Sequence, residues 1–373
     1  MKNKTKSKLI TGVFLFFIFG IGILYIFMPK NEFSETEKRY LAEFPEFSIK
    51  SLVSGDFASE FEEFLADQTP FRNVFVSINS YFQLLKGNNG SNGVYLGSDG
   101  WLIEKPFERE NRFNVNMDRI LKFAGECGVP CSITAVPSKG YIYADKLPKN
   151  SLEFRDAIYL QMLRECSQYL TVIDLFAPLT AAKNDKQLFY KTDHHWTSDG
   201  AYIGYREICK ALNLEATPES GFTPEITDGF FGTSYSTSLY TLTKPDSVKI
   251  MRSKKTGGKA EVIINDGKEE IYDNMFFTDA LKTGDKYVAF LNGNHPLVKI
   301  KTGNEGGNLL IIKDSFAHCL APFLAENYAN IVMVDLRYYK KPVSALISEN
   351  NISQVLFVYG IDNLAESADI ILR

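Results

Sequence analysis

The sequence is poor in the residues and motifs that metal, nucleotide and nucleic-acid sites use. Its 373 residues include four histidines, two tryptophans and five cysteines, and the formal net charge is −4. An acidic balance offers no basic surface to a phosphate backbone, so we expect no nucleic-acid partner. The sequence contains no GxxxxGK loop and no GxGxxG turn, so no nucleotide-binding loop is indicated. We accordingly expect no cofactor.

The cysteines are odd in number and lack the pairing that a zinc site requires. Cys166 and Cys209 lie in helix-like patterns, where we interpret them as small buried apolar residues. Cys127 and Cys131 flank a Gly-Val-Pro corner between a predicted helix and a predicted strand. A disulfide between them is one alternative, because an exported chain can form one. A second close pair for zinc is missing, so we expect no metal there.

Charge is absent from one long run near the N-terminus. Leu9 to Met28 holds no charged residue over 20 positions and follows the basic start MKNKTKSK. At about 1.5 Å rise per residue, such a helix spans the hydrocarbon core of roughly 30 Å. The basic flank predicts a cytoplasmic N-terminus and an exported remainder. The alternatives are a buried core helix and a cleaved signal peptide, whose small-x-small cleavage site is not offered after Met28.

Three regions follow from these signals. Residues 1–29 are predicted to be a cytoplasmic tip and a transmembrane signal anchor, and residues 30–92 a juxtamembrane helical stalk. Helices are expected at 56–65 and 73–85, separated by a proline at position 70. The stalk either packs on the main domain or forms a partner-docking face in or near the membrane. Residues 93–373 are predicted to be the catalytic domain.

The long C-terminal region alternates between strand and helix patterns after a hairpin at 93–103. This β-α alternation predicts an α/β fold, a three-layer α/β/α sandwich built on a parallel sheet. The predicted helices are 115–127, 152–169, 343–349 and a helix at 198–212 for which Ser198 is the expected N-cap. The predicted strands are 131–136, 171–175, 287–291, 308–312, 331–335 and 354–359.

Residues at about 216–285 interrupt this rhythm. Gly, Thr, Ser, Tyr and Lys dominate there, with short alternating runs, so we predict a β-rich insertion. Its aromatic residues either stack on sugar rings or pack the insertion's own small core; they are Phe230, Phe231, Tyr235 and Tyr240.

Histidine and tryptophan, which are rare in this sequence, occur together in one stretch. Two of the four histidines and one of the two tryptophans stand together in Asp193-His194-His195-Trp196. In an extended segment Asp193 and His195 face the same way, because side chains alternate with period two. The carboxylate can then fix the imidazole tautomer and leave the other ring nitrogen free as a base. His194 is expected to point away and, like Trp196, to play a supporting role.

A serine stands where the matching nucleophile is expected. Strand 308–312 runs into Lys313, Asp314 and Ser315, with an apolar, helix-like stretch behind them. Ligands bind at the carboxyl ends of parallel strands, and the Ser315 N–H can help to bind an oxyanion. Serine needs a base, which His195 would supply, and Asp314 is expected to play a supporting role.

Alternatives remain open for this site. Ser315 is otherwise an N-cap, His318 is another possible base, and Asp193, His195 and His318 together could bind a metal. A second oxyanion or substrate-binding donor is expected from Asn292, Asn294 or Lys139, each of which is otherwise turn chemistry or a solvated charge.

With both motifs in view, the chain resembles a known group. It is similar to the DHHW proteins, in the alginate O-acetyltransferase-like branch (AlgJ and AlgX type) of the SGNH hydrolases. Asp193-His-His-Trp196 is the most specific of the matching segments. The supporting segments are 34–41, 67–72, 97–102, 136–139, 142–143 and 313–315. Lys313 stands where a typical SGNH enzyme has the glycine of its Gly-Asp-Ser block, and a late D-x-x-H is missing.

The resemblance implies a function. In that branch the Asp and His of the D-x-H-W motif pair with the later Ser, which carries over to Asp193, His195 and Ser315. It implies transfer of an acetyl group through a serine acyl-enzyme to a hydroxyl of an exported or cell-envelope polysaccharide. It also implies a membrane-bound O-acyltransferase that supplies the acyl group. The alternatives are a carbohydrate acetylesterase with the same triad and a non-catalytic polysaccharide-binding scaffold.

Overall fold

The chain is described by a computed structural model that covers residues 2–106 and 110–372. It divides into two compact units. The first comprises Met1–Asn92 and Ser236–Thr241, and the second comprises Gly93–Tyr235 and Leu242–Arg373.

The first unit contains the N-terminal apolar helix and the helices expected at 56–65 and 73–85. Its elements are α1 (Lys2–Phe27), β1 (Phe33–Ser34), β2 (Arg39–Tyr40), α2 (Ile49–Ser54), α3 (Asp56–Asp67), α4 (Arg72–Leu85) and β3 (Gly90–Ser91). Within α1, Thr5–Phe27 is 23 residues long, none of its apolar window is buried, and it is long and apolar enough to cross a membrane. By length and composition it suits either an anchor or a signal sequence.

An ion-pair network joins the β1-β2 hairpin to the end of α3. Arg39 donates to both carboxylate oxygens of Asp67, at 2.7 and 2.5 Å, and the Ala42 N–H donates to the same carboxylate at 2.9 Å. The Arg39 hydrogen bond is the main reason that the pKa of Asp67 lies below its usual value. Arg72 pairs with Glu37 of the same hairpin. Segments 34–41 and 67–72, both part of the resemblance, therefore hold each other in place.

The second unit is built on α/β alternation. Its first half contains β4 (Val94–Leu96), β5 (Leu102–Glu104), α5 (Glu110–Glu126), β6 (Cys131–Val136), α6 (Lys139–Ile142), α7 (Asp156–Glu165), β7 (Thr171–Ile173), α8 (Phe176–Ala182) and α9 (Ser198–Ala211). The middle contains β8 (Phe222–Phe230), the start of α10 (Thr233–Ser238, whose last three residues belong to the first unit), β9 (Asp246–Ser253), β10 (Lys259–Asn265) and β11 (Glu269–Asn274). The last part contains β12 (Leu297–Lys301), β13 (Asn308–Lys313), α11 (Ala317–Leu324), β14 (Asn330–Val334), α12 (Val343–Glu349), β15 (Gln354–Gly360) and α13 (Ile361–Glu366).

Eight of these strands form one mixed sheet, in the order β11-β10-β12-β14-β13-β15-β6-β7. The five strands from β14 to β7 are mutually parallel, which confirms the predicted parallel sheet. Strands β12, β10 and β11 extend it with antiparallel pairs.

Helices cover both faces of the sheet, as the three-layer prediction requires. Successive residues of β13 alternate between two apolar clusters: Ile311 packs on one face, and Leu310 and Ile312 on the other. The first face is covered by α9 and α11, and the second by α5, α7, α12 and α13. Ser315, the residue two positions beyond β13, therefore lies at the carboxyl edge of a strand that is buried from Leu309 onward.

Several predicted boundaries are wrong. The β-rich segment at 216–285 is not a separate insertion throughout: β8 and β9 form their own hairpin, but β10 and β11 are edge strands of the main sheet. Residues 287–291 are not a strand, because Lys286–Ala289 form a 3₁₀ turn. The N-cap of α9 is Thr197, whose side chain accepts the Gly200 N–H, rather than Ser198.

All five cysteines are free thiols, so the disulfide alternative is not formed. The sulfur atoms of Cys127 and Cys131 nevertheless lie 3.3 Å apart, at the corner between α5 and β6 where the sequence places them.

Candidate active site

The Asp-His-His-Trp loop is fixed at its start by a buried carboxylate. Asp246 accepts hydrogen bonds from the Lys191 N–H at 3.0 Å and from the Thr192 N–H at 2.8 Å, and it also accepts the Thr192 hydroxyl at 2.7 Å. An isolated β-bridge pairs Phe189 with Trp196 across the loop. The loop between them is therefore a tight bend with its backbone held at both ends.

Three side chains form a continuous hydrogen-bonded chain at this bend. His195 Nδ1 lies 2.5 Å from Asp193 Oδ1, and His195 Nε2 lies 2.6 Å from Ser315 Oγ. All three residues are buried, and Ser315 is 7% exposed. A carboxylate that accepts from Nδ1–H leaves Nε2 as the acceptor for the serine hydroxyl. The order carboxylate, imidazole, hydroxyl is that of a serine-hydrolase triad.

Asp193 is surrounded by donors that keep it ionised. Besides the ring of His195, its carboxylate accepts the His195 N–H at 2.9 Å and the Thr233 N–H at 2.7 Å, and it also accepts the Thr233 hydroxyl at 3.1 Å. Burial opposes ionisation, but the neighbouring imidazoles and these hydrogen bonds hold the pKa of Asp193 well below its usual value. A permanently ionised carboxylate is what stabilises an imidazolium beside it.

The turn that carries Ser315 is shaped by Asp314. Its carboxylate accepts the Phe316 N–H at 2.9 Å, the Gly360 N–H at 2.7 Å and the Asn363 side-chain amide at 2.8 Å. Within residues 2–106 and 110–372, the Ser315 N–H has no hydrogen-bond acceptor. That N–H stands at the start of the turn into α11, where a donor for an oxyanion is needed.

Two aromatic side chains lock the loop and the serine turn together. The indole N–H of Trp196 donates to the Phe316 carbonyl at 2.9 Å. The Tyr287 hydroxyl donates to the Ser315 carbonyl at 3.1 Å, and its ring stacks on His195 with a centroid separation of 4.0 Å. Sequence reasoning assigned Trp196 a supporting role but missed Tyr287, which it placed inside a strand.

Lys139 reaches the site, but it contacts the backbone of the loop. Its ammonium donates to the Asp193 carbonyl at 2.7 Å and to the Ser234 hydroxyl at 3.3 Å, and it forms an ion pair with Glu104 at 3.4 Å. Because Lys139 is only 3% exposed, its donors are committed to these partners. By donating to the Asp193 carbonyl, Lys139 holds the backbone of Asp193 in position.

Known proteins are similar to this chain in sequence and in fold. Residues 94–229 match the family described as SGNH hydrolase-like domain, acetyltransferase AlgX. The fold of the chain is SGNH-like. A curated relative is the "Probable alginate O-acetylase AlgJ" of Pseudomonas syringae pv. tomato, 26% identical over 244 residues. The match covers 59% of this chain and 62% of that relative, so the chain spans less than two thirds of the relative's length.

Solved structures of other proteins share the fold of this chain. A DHHW family protein from Eubacterium siraeum superposes with a TM-score of 0.65 at 23% identity, covering 74% of this chain and 93% of that protein. Bacillus cereus PatB1, solved with a sulfonyl adduct, superposes with a TM-score of 0.64 at 22% identity, covering 75% of this chain and 98% of PatB1.

The expectation that His194 points away from His195 is wrong. The loop is a bend rather than an extended segment, and the rings of His194 and His195 lie 3.9 Å apart. His194 Nδ1 is hydrogen-bonded to the Thr233 hydroxyl at 2.7 Å. Partial burial, followed by the proximity of His195, lowers the pKa of His194 to about 4, although 36% of its side chain is exposed.

The described hydrogen bonds of Asn292 and Asn294 do not involve Ser315. The strand that would have placed them at the sheet edge is absent, and Asn292 lies instead in a turn with a φ of 60°. Its carbonyl accepts from His295 at 2.9 Å, and the Asn294 side chain accepts from Arg337 at 3.0 Å. The position of Asn292 fits a role in the turn, which is the alternative that the sequence left open for it.

His318 cannot replace His195 as the base. Its Nε2 accepts from the buried ammonium of Lys313 at 2.7 Å, and Lys313 also pairs with Asp335 at 3.0 Å. Burial and the nearby charge of Lys313 hold the pKa of His318 well below its usual value. The hydrogen-bond partner of Ser315 Oγ is His195, not His318.

A metal assembled from Asp193, His195 and His318 is likewise unsupported. The described residues that bring ligand atoms together, within 4.8 Å, are Asp193, His194 and His195. Both ring nitrogens of His195 and Nδ1 of His194 already have hydrogen-bond partners. The same donors and acceptors satisfy one another without an ion.

Two aromatic residues of the β-rich segment are excluded as sugar platforms. Phe230 and Tyr240 have no exposed surface, so no ligand can stack on them. Phe230 packs edge-on against Tyr190 at 5.1 Å, which makes it part of the domain core.

Gly232 is required by the close approach of its backbone to Asp193. A Cβ on Gly232 would lie 2.1 Å from Asp193 Cβ and 2.3 Å from Asp193 Oδ2. Gly232→Ala is expected to displace the carboxylate of Asp193. We expect kcat to fall about 100-fold and the free energy of unfolding to fall by about 1–3 kcal/mol. Assaying aryl-acetate turnover and urea unfolding checks both effects. Gly125→Ala in α5, where a Cβ meets nothing within 4 Å, is the matched control, and equal behaviour of the two variants would contradict the prediction.

Proposed function

We propose that this protein is an extracytoplasmic O-acetyltransferase that passes an acetyl group through a Ser315 acyl-enzyme to a hydroxyl of an exported or cell-envelope polysaccharide. The observation that carries the proposal is the unbroken hydrogen-bonded chain from Asp193 through His195 to Ser315. The names of the curated relatives, alginate O-acetylases, support a polysaccharide acceptor.

The first half-reaction forms the acyl-enzyme. His195 Nε2, 2.6 Å from Ser315 Oγ, takes the hydroxyl proton as the oxygen attacks the acyl carbonyl. Asp193 stabilises the imidazolium, and the Ser315 N–H donates to the developing oxyanion. The tetrahedral intermediate collapses, and the donor's leaving group departs with the proton from His195. Ser315 then carries the acetyl ester.

The second half-reaction repeats these roles with a sugar. A hydroxyl of the polysaccharide loses its proton to His195 and attacks the acetyl carbonyl. Collapse of the second intermediate releases Ser315 Oγ, which regains a proton from His195. If water attacks in place of the sugar, the products are acetate and free enzyme, and the protein is an esterase.

The N-terminal helix supports the proposed extracytoplasmic placement of the catalytic domain. Thr5–Phe27 is apolar enough to anchor the chain in a membrane, and the basic residues before it favour a cytoplasmic N-terminus. A catalytic domain outside the cell has no direct access to cytoplasmic acyl donors. A membrane-bound O-acyltransferase that delivers the acyl group across the bilayer is the partner this arrangement needs.

The test measures where the acetyl group goes. The full-length chain, purified in mild detergent, receives an aryl acetate as donor and an oligosaccharide as acceptor. We expect an acetylated sugar by mass spectrometry, with a yield that depends on Ser315 and His195. Release of acetate alone, at any acceptor concentration, would contradict transfer and favour the esterase. A folded protein that never acquires an acetyl group on Ser315 would favour a non-catalytic polysaccharide-binding protein.

A further inference from the structure

Helix α4 of the first unit is amphipathic, and its apolar side faces outward. Val74, Ile78, Phe82 and Leu85 recur every three or four residues, which places them on one side of the helix. We call these four side chains the α4 apolar face. Between 52 and 85% of each of them is exposed. The apolar side of a helix in a water-soluble protein normally packs against the core, so an outward apolar face indicates a partner other than water.

The other side of α4 is polar and packs against the protein. The buried residues of this helix are Ser77 and Ser80. The Ser77 hydroxyl is hydrogen-bonded to the Thr241 hydroxyl at 2.8 Å, and the Ser80 hydroxyl donates to the Ser238 carbonyl at 2.6 Å. Both partners belong to the segment Ser236–Thr241 of the same unit. Turning the apolar face inward would break these hydrogen bonds, so they fix the rotation of α4 about its axis.

Helix α1 lies directly beside the α4 apolar face. The ring of Phe75 packs edge-on against the ring of Phe17 in α1, with a centroid separation of 5.9 Å. Phe75 precedes Phe82 by seven residues, or two turns, so both lie on the same side of α4. Phe17 belongs to Thr5–Phe27, the segment that is long and apolar enough to cross a membrane. Where lipid surrounds α1 at Phe17, it also reaches the adjoining side of α4.

The charges around the α4 apolar face suit a lipid surface. Residues 71–86 contain no aspartate and no glutamate, so no carboxylate of this segment repels the phosphate of a lipid headgroup. Lys86 directly follows the helix, and its ammonium lies 5.9 Å from the centre of the Phe82 ring. A lysine at the margin of an apolar surface lays its stem along that surface and keeps its charge among the headgroups.

We propose that α4 is a second membrane-contacting helix and that its apolar face lies among lipid acyl chains beside α1. The proposal takes α1 as the membrane anchor and is independent of acetyl transfer. The apolar side chains have a lipid partner, and the buried serines have protein partners, so each side of α4 is satisfied in its own environment. A single anchoring helix leaves the first unit free to turn about it, whereas two lipid contacts fix the orientation of this unit on the bilayer.

The experiment measures contact between the α4 apolar face and lipid in the full-length chain. Phe82→Trp is reconstituted into vesicles of phosphatidylcholine and phosphatidylglycerol, with acyl chains that are either unmodified or brominated. Bromine quenches tryptophan only at short range. Trp101 and Trp196 are buried, so the wild-type protein supplies the background to subtract. We expect brominated lipid to reduce the added fluorescence about twofold or more, and Ile78→Trp to behave in the same way.

The matched control is Ile271→Trp on β11 of the second unit. Ile271 is 67% exposed, comparable with Phe82, but its neighbours in the strand include Glu269, Glu270 and Asp273. Its fluorescence should be unchanged by brominated lipid, and each variant should unfold thermally like the wild type, because the replaced side chains are exposed. Equal quenching of the α4 variants and the control, whether strong or absent, would overturn the proposal. If quenching is absent from both, the α4 apolar face is left as a surface for a partner protein.

Discussion

Ser315→Ala is expected to reduce acetyl transfer by roughly 10⁴-fold or more, because the atom that would carry the acetyl group is removed. Ser315 Oγ makes one described hydrogen bond, to His195 Nε2, so its removal leaves the fold intact. Initial rates of aryl-acetate cleavage and of acetyl-sugar formation, measured on the full-length chain, check the loss.

The matched control is Ser348→Ala. Ser348 lies on α12, and its exposed hydroxyl donates to the carbonyl one turn earlier, at 3.1 Å. We expect its activity to equal that of the wild type. Activity of Ser315→Ala within tenfold of the wild type would show that the acetyl group never resides on Ser315.

The second large effect is expected from Asp193→Asn, at about 10⁴-fold in kcat. The carboxylate accepts from His195 Nδ1, from the His195 N–H and from both donors of Thr233. An amide cannot accept at both ends, so either Thr233 loses its partner or the NH₂ group faces Nδ1. In the second case the imidazole adopts the tautomer whose Nε2 carries a proton and cannot take another from Ser315.

The chain supplies a control of the same kind for this substitution. Asp266 and His295 form another carboxylate–imidazole pair at 2.5 Å, away from Ser315. Asp266→Asn should therefore leave the rate of acetyl transfer unchanged. If the Asp193→Asn variant unfolds thermally like the wild type and its kcat stays within tenfold of the wild-type value, the carboxylate has no part in orienting His195.

The sequence predicts the components of the site better than their arrangement. Asp193, His195 and Ser315 follow from residue type and from the position of Ser315 after a buried strand, and the structure brings all three together. The expectation that Asp193 and His195 meet because side chains alternate along an extended segment is wrong, because the loop is a bend. The carboxylate meets the ring because it also accepts the His195 backbone N–H. A bend also explains why His194 lies beside His195.

The residues that distant segments of the chain bring into contact with the triad could not be predicted from the sequence. Tyr287 lies in an apolar run that resembles a strand by its pattern, but Lys286–Ala289 turn as a 3₁₀ helix instead. Thr233 and Gly232 come from a polar segment without hydrophobic periodicity, and their contact with Asp193 depends on tertiary packing. A short apolar run does not by itself distinguish a strand from a buried turn.

The main sheet could also be predicted only in part from the sequence. Its five parallel strands follow from the β-α alternation, which brings each strand back in the same direction. The antiparallel edge was missed, because β10 and β11 sit inside a segment whose composition is typical of an insertion. Alternation within a strand predicts that one face is buried, but it does not identify the strand beside it.

The central claim, that His195 activates Ser315 as a nucleophile, is tested most directly by covalent labelling. The full-length chain in detergent is treated with phenylmethylsulfonyl fluoride, and the modified peptide is located by mass spectrometry. The account predicts an adduct on Ser315 that disappears in Ser315→Ala and in His195→Ala. An adduct on Ser315 that forms as fast in His195→Ala as in the wild type, or a folded wild-type chain that labels only at another residue, would contradict it.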